Sequence, residues 1–193
     1  MNLSSNSHSI DAILVAGIGN IFLGDDGFGS EVARQLLLLD WPDDVRVVDY
    51  GIRGIDLAYA LLDGHEAVIL IDAIPGDEAP GTLRVIEPEL EGLELESNPS
   101  ALLDAHSLHP LRVLQMVKAM GGDLKRVMIV GCQPADLGGE EGRMGLSAPV
   151  GAAVSEAVKL VKRLSETLLT QRLEASSRIH KGSNKLCTNF RSQ

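Results

Sequence analysis

Along the chain, short unbroken apolar runs alternate with stretches where apolar residues return every three or four positions. Runs of the first kind occur at 12–17 (AILVAG), 45–49 (VRVVD), 67–72 (AVILID), 82–87 (TLRVIE) and 126–132 (RVMIVGC). They have the length and β-branched content of strands. Continuous apolar character, as in Val68-Ile-Leu-Ile71, predicts strands covered on both faces, which parallel sheets require. The second kind predicts helices. Over 30–40, Val32, Leu36 and Leu39 share a face, and over 54–63 so do Ile55, Tyr59 and Leu62. Segment 110–120 starts at Pro110, a favoured first-turn residue, and stops before Gly121-Gly122. Segment 149–170 carries Val150, Val154, Val158, Val161, Leu164 and Leu168 as a stripe, with Lys and Glu opposite.

The resulting order predicts an α/β fold: a single doubly wound, mostly parallel five-stranded sheet with helices on both faces. One strand breaks the rule. Segment 82–87 follows its predecessor too closely for a crossover helix, and Pro75-Gly76 and Pro80-Gly81 mark turns, so it is expected to pair antiparallel. Residues 1–170 are expected to form one domain. Residues 171–193 lose periodicity and contain Ser-Ser and Gly-Ser-Asn, and are expected to be a basic, unstructured tail.

Charge sharpens this division. The 193-residue chain carries a formal −10, yet residues 171–193 sum to +4, which leaves −14 on the remainder. Such an acidic body argues against nucleic acid or an anionic membrane as partner, and suits a cation, a metal centre or a basic peptide. Cys132 follows a strand and Cys187 lies in the polar tail, so no structural bridge is expected and the thiols fit a reducing compartment. The first ten residues lack a basic and an apolar signal region, and no apolar run reaches membrane-spanning length. The expectation is a cytoplasmic protein, monomeric in the absence of any association signal.

Ligands in open α/β sheets bind beyond the carboxyl ends of the strands. Reading those ends gives Asp25 and Asp26 after the first strand, Asp49 at the end of the second and Asp72 at the end of the third. Asp104, His106 and His109 precede the helix at 110, and Gln133-Pro134 with a glycine-rich loop follow the last strand. Carboxylates and an imidazole on one rim suit a borderline divalent ion such as nickel, zinc, manganese or iron. Each residue has a plainer reading. Asp25 or Asp26 could cap the helix near 28–39, and Asp72 could close an Asx-turn. Asp49 could orient nearby amides, and His106 could sit at a helix start. Cys132 reads as a small core residue rather than a nucleophile. The segment Gly17-Ile-Gly19 begins like a dinucleotide turn, but Phe22 replaces the third glycine and Asp25-Asp26 would repel phosphates.

Taken in order, these residues resemble the hydrogenase-maturation endopeptidases, which process the large subunit of nickel–iron hydrogenases. The resemblance rests on Gly17-Ile-Gly-Asn20 followed by Asp25-Asp26-Gly27, on Asp49-Tyr-Gly-Ile-Arg-Gly54, and on Ile69-Leu-Ile-Asp72-Ala73. His106 before a helix and Val130-Gly-Cys-Gln-Pro134 complete it, across roughly residues 11–168. It implies that Asp26, Asp72 and His106 contact a metal, that the metal is nickel supplied by the precursor, and that the product lacks a short C-terminal extension. Asp26, Asp72 and Asp49 are then the candidate catalytic carboxylates, acting beside the metal or as general base. Many members have Glu where this chain has Asp26, and often Gly where it has Tyr50, which would narrow the substrate groove. A non-catalytic nickel-binding chaperone of the same fold is the alternative.

Overall fold

The computed structural model describes residues 12–93, 109–138 and 142–187. In chain order its elements are β1 (Ile13–Ile18), a single 3-10 turn (Gly24–Gly27), α1 (Phe28–Leu36), β2 (Val45–Gly51) and α2 (Gly54–Leu61). They continue with β3 (Ala67–Ala73), β4 (Leu83–Ile86), α3 (Pro110–Ala119), β5 (Val127–Cys132) and α4 (Ala148–Cys187). The strands form one mixed sheet in the order β2-β1-β3-β5-β4. Four run parallel, and β4 alone is antiparallel, against β5, as the turn spacing predicts.

Strand alternation sorts the core into two layers. Ile13, Val15, Ile69, Ile71, Met128 and Val130 pack with Val32 and Leu36 of α1 and with Val150, Val154 and Val161 of α4. Leu14, Ala16, Val68, Leu70 and Ile129 pack with Leu57 and Leu61 of α2 and with Val113 and Val117 of α3. Every residue of β1 and β3 is buried, which explains their unbroken apolar spelling. Each buried aliphatic side chain contributes about 1.5–3 kcal/mol.

Two glycines hold α1 against the sheet. A methyl group on Gly17 would meet the carbonyl oxygen of Gly29 and Cβ of Ala33, and one on Gly29 would meet the carbonyl oxygens of Ile18 and Ile71. Gly17 and Gly29 therefore serve close contact within the protein itself.

Three expectations change. In α2 the buried residues are Leu57, Ala58 and Leu61, whereas Ile55 and Tyr59 are 63% and 60% exposed. The sequence GIDLAYALLD is apolar almost all round, so two stripes compete, and the sheet captures the one containing Leu57 and Leu61. Helix α1 ends at Leu36, leaving Leu39 outside it. Helix α4 runs to Cys187, well past the expected boundary near 170. Once a helix is nucleated, each further residue adds a hydrogen bond, and no proline interrupts the chain between 150 and 187. Arg172 fixes the extension to the body, with Nη1 2.8 Å from Asp44 and Nε 2.9 Å from Glu66. Among the described residues, no helix is long and apolar enough to cross a membrane.

Candidate active site

The strand order reverses between β1 and β3, because the chain leaves β1 for β2 on one side and returns to β3 on the other. Such a reversal opens a crevice beyond the carboxyl ends of the two strands. Asp72 ends β3 and Asp26 lies in the 3-10 turn that follows β1, so both carboxylates flank this crevice.

The acidic pair divides. Asp25 is fully buried and its carboxylate is saturated. Oδ2 accepts the amides of Ala135 and Asp136 at 2.8 and 3.0 Å and the Ser147 hydroxyl at 2.8 Å, while Oδ1 accepts the Ser147 amide at 2.6 Å. Burial pushes its pKa up, but these donors outweigh it and hold the carboxyl below its ordinary value. Asp25 thus clasps the turn to the loop after β5 and to the start of α4. Neither acid caps α1, whose N-cap is Gly27 without a side-chain hydrogen bond.

Asp26 keeps more freedom. It is partly exposed, and among the described residues Oδ2 accepts only the Asn20 amide, at 2.7 Å. Burial raises its pKa against that hydrogen bond. Gly19, at φ +133°, makes this turn possible, since a side chain there would collide with the Asp26 carbonyl oxygen.

Asp72 is 5% exposed and, among the described residues, accepts one hydrogen bond, from the Ala73 amide to Oδ1 at 2.8 Å. That contact is to its own neighbour, so no Asx-turn forms. Its pKa stands well above the ordinary carboxylate value, first because of burial and then because of the negative charge of Asp26. Two carboxylates that repel each other at a crevice form a site where a cation would be stabilised. Oxygen donors of this kind fit a divalent metal. The third expected ligand, His106, lies outside the described residues, and among the described residues no three ligating side chains converge. Asp104 is likewise outside them. His109 is the N-cap of α3, its Nδ1 accepting the Leu111 amide at 3.3 Å.

Asp49 occupies a neighbouring cleft of about 430 Å³, lined also by Asn20, Phe22, Ser30, Tyr50 and Arg53. Its Oδ1 accepts the Gly51 amide at 3.0 Å and the Ser30 hydroxyl at 2.8 Å. Ser30 Oγ also lies 3.3 Å from the Gly19 carbonyl, but a hydroxyl has one proton and the nearer, charged acceptor is favoured. Ser30 therefore ties Asp49 to helix α1, which follows directly on the turn that carries Asp26. Sequence reading missed it, for a serine inside a helix carries no signal of its partner. The plainer reading of Asp49, as an organiser of backbone amides, is seen directly.

Tyr50 is buried against the α2 layer and walls the cleft, with Arg53 Cζ 5.8 Å from its ring centroid. Cys132 is fully buried, and burial, with the nearby charge of Asp25, pushes its thiol up to about 11. It is a core residue.

The chain is similar in sequence and in fold to known proteins. The family model described as "Hydrogenase maturation protease" matches residues 31–164. A putative hydrogenase maturation protease of Methanocaldococcus jannaschii is 33% identical over 150 residues, covering 77% of this chain and 93% of that protein. A hydrogenase 2 maturation peptidase from a Thaumarchaeota archaeon superposes with a TM-score of 0.60 at 34% identity, over 80% of this chain and 97% of the other. The hydrogenase maturating endopeptidase HybD of Escherichia coli superposes with a TM-score of 0.61 at 27% identity, over 80% and 93%. With the family model spanning more than half the chain and the relative covered nearly end to end, this chain belongs to the hydrogenase maturation protease family.

Proposed function

We propose that this protein is a cytoplasmic endopeptidase that removes the C-terminal extension of a nickel–iron hydrogenase large-subunit precursor, and that it reads the nickel already installed there. The observation carrying the proposal is the Asp26–Asp72 pair at the β1/β3 crevice, where burial first, and then the negative charge of Asp26, raises the Asp72 pKa. A cation with open coordination positions relieves that repulsion. Nickel here belongs to the substrate: Asp26, Asp72 and His106 would contact it when the precursor docks. The apolar layers on both faces of the sheet support a doubly wound arrangement, with the site at the reversal of strand order.

Hydrolysis of the peptide bond needs a group to take a proton from water and one to stabilise the developing oxyanion. The client's metal supplies Lewis acidity. Asp72 or Asp49, as a carboxylate, would take the proton from water as general base. Asp49, fixed by Ser30 and Gly51, is suited to orient water or the scissile peptide in the adjoining cleft. Cleavage conditional on nickel prevents an empty client from being closed prematurely. The protein acts as a monomer on one client chain in this scheme.

The test is to incubate the protein with nickel-loaded and nickel-free precursor and measure the C-terminal mass. Shortening only of the loaded form is expected, and Asp26→Asn, Asp72→Asn and His106→Ala should each abolish it. No shortening in either sample would overturn the protease reading in favour of a nickel-binding chaperone. Normal cleavage by all three variants would remove the site assignment.

A further inference from the structure

The cleft beside Asp49 continues onto an apolar shoulder that the catalytic scheme does not use. Ile21, Phe22 and Ile52 line the cleft and are exposed. Beyond Ile52, the outward face of α2 presents Ile55 and Tyr59, which at i, i+4 lie side by side. Scattered exposed apolar residues need no explanation, but three lining one cleft, with Ile55 and Tyr59 on the helix that follows, mark an interaction surface. The core does not claim them, since α2 already buries Leu57, Ala58 and Leu61.

A cation stands in the middle of this surface. Arg53 donates from Nε to the Tyr50 carbonyl at 3.2 Å and from Nη2 to the Asp49 carbonyl. Those two contacts pin the guanidinium at the cleft. Its Cζ lies 5.8 Å from the Tyr50 ring centroid, and Asp56 Oδ2 is 3.7 Å from Nη1, with both side chains of that pair more than half exposed. An ion pair that long and that exposed is weak. The guanidinium so stays more than half exposed at the cleft of a protein of formal charge −10. Long-range electrostatics here repel acidic peptides, so a carboxylate gains where it meets a fixed cation such as Arg53.

We propose that this surface docks the precursor's C-terminal extension as an extended, apolar peptide segment, with Ile52, Ile55 and Tyr59 receiving its apolar side chains and Arg53 receiving a carboxylate of that segment. The inference rests on the protease reading above, and concerns which part of the client is bound and by what. The carboxylate can be an acidic side chain or the chain terminus, since both present the same two oxygens.

The test uses steady-state processing of nickel-loaded precursor by the full-length protein. An Ile55→Gln/Tyr59→Gln double variant, altered only on the solvent side of α2, should raise KM about tenfold while kcat stays within about twofold. Arg53→Gln should raise KM similarly, whereas Arg53→Lys, which keeps the charge, should restore it in part. Two altered precursors separate the carboxylate sources. In one, acidic side chains of the extension become amides; in the other, two added residues displace the terminus. Whichever carries the contact should lose affinity for wild-type protein and lose no more with Arg53→Gln. If wild-type protein processes the precursor but the variants keep wild-type KM, or lose kcat alone, this docking surface is wrong and the protease stands. If wild-type protein cleaves nothing, the protease reading itself has failed.

Discussion

Asp25 and Ser147 are joined by two hydrogen bonds across 122 residues of chain, one from the serine amide at 2.6 Å and one from its hydroxyl at 2.8 Å. Together with the amides of Ala135 and Asp136, they make one buried carboxylate the meeting point of three segments. Removing it leaves buried donors without an acceptor. Asp25→Ala should cost about 2–5 kcal/mol, and Ser147→Ala about 1 kcal/mol, because the serine amide stays in place. Because the folded pKa of Asp25 lies below the ordinary value of 3.8, its contribution is complete above that pH and is lost as pH falls below it. Urea titrations at pH 7 and pH 3 check both points: the gap between wild type and Asp25→Ala should narrow in acid.

Gly17→Ala tests the contact between β1 and α1. The added methyl has no space, as it would meet the Gly29 carbonyl and Ala33 Cβ, and the helix backbone would have to move. A loss of about 1–3 kcal/mol is expected from overpacking. Gly29→Ala should cost at least as much, since its methyl would meet two backbone carbonyls. Gly64→Ala gives a comparison, for nothing lies near its side and only its positive φ opposes the change. A wild-type melting midpoint for Gly17→Ala would refute the packing account.

The sequence made much of this legible, and unevenly so. Strands β1, β3 and β5 are spelled as apolar runs because both faces are covered, and the reversed direction of β4 follows from a connection too short to cross over. The outward face of α2 was not legible, since Ile55-Tyr59 and Leu57-Leu61 are equally apolar and only the sheet chooses between them. Nor was the division of Asp25 from Asp26. Two adjacent acids in a tight turn point in different directions, and the partners of Asp25 lie 110 to 122 residues away. The carboxylates Asp26, Asp49 and Asp72 could be placed on one rim from strand ends alone, because strand ends in a parallel sheet share an edge. His106 falls outside the described residues, so its place on that rim stays with the variant test.

Cys132 should be chemically silent. A thiol with a pKa of about 11, fully buried, offers almost no thiolate at neutral pH. In a Cys187→Ser background, reaction with a disulfide reagent at pH 7.5 should be slow in the folded protein and fast in urea. Cys132→Ser should leave processing of the precursor within about twofold of wild type. Rapid labelling of the folded protein would contradict the burial described here.

Asp72 should show opposite effects on stability and on activity. Its folded pKa is raised above 3.8, so the folded state holds a proton that the unfolded state releases. Stability attributable to this group is then greatest below the ordinary value and declines as pH climbs from there toward the raised folded pKa, levelling off beyond it. Asp72→Asn removes both the buried charge and its repulsion with Asp26 while keeping an oxygen for the Ala73 amide. The variant should therefore melt higher than wild type at pH 7, converge with it near pH 4, and process no precursor. Stabilisation that accompanies loss of function is the signature of a site held in electrostatic strain for its ligand. Melting curves between pH 4 and 8 decide it: if Asp72→Asn is less stable than wild type at pH 7, Asp72 is a structural acid, and the Asp26–Asp72 pair is not the strained carboxylate site this function needs.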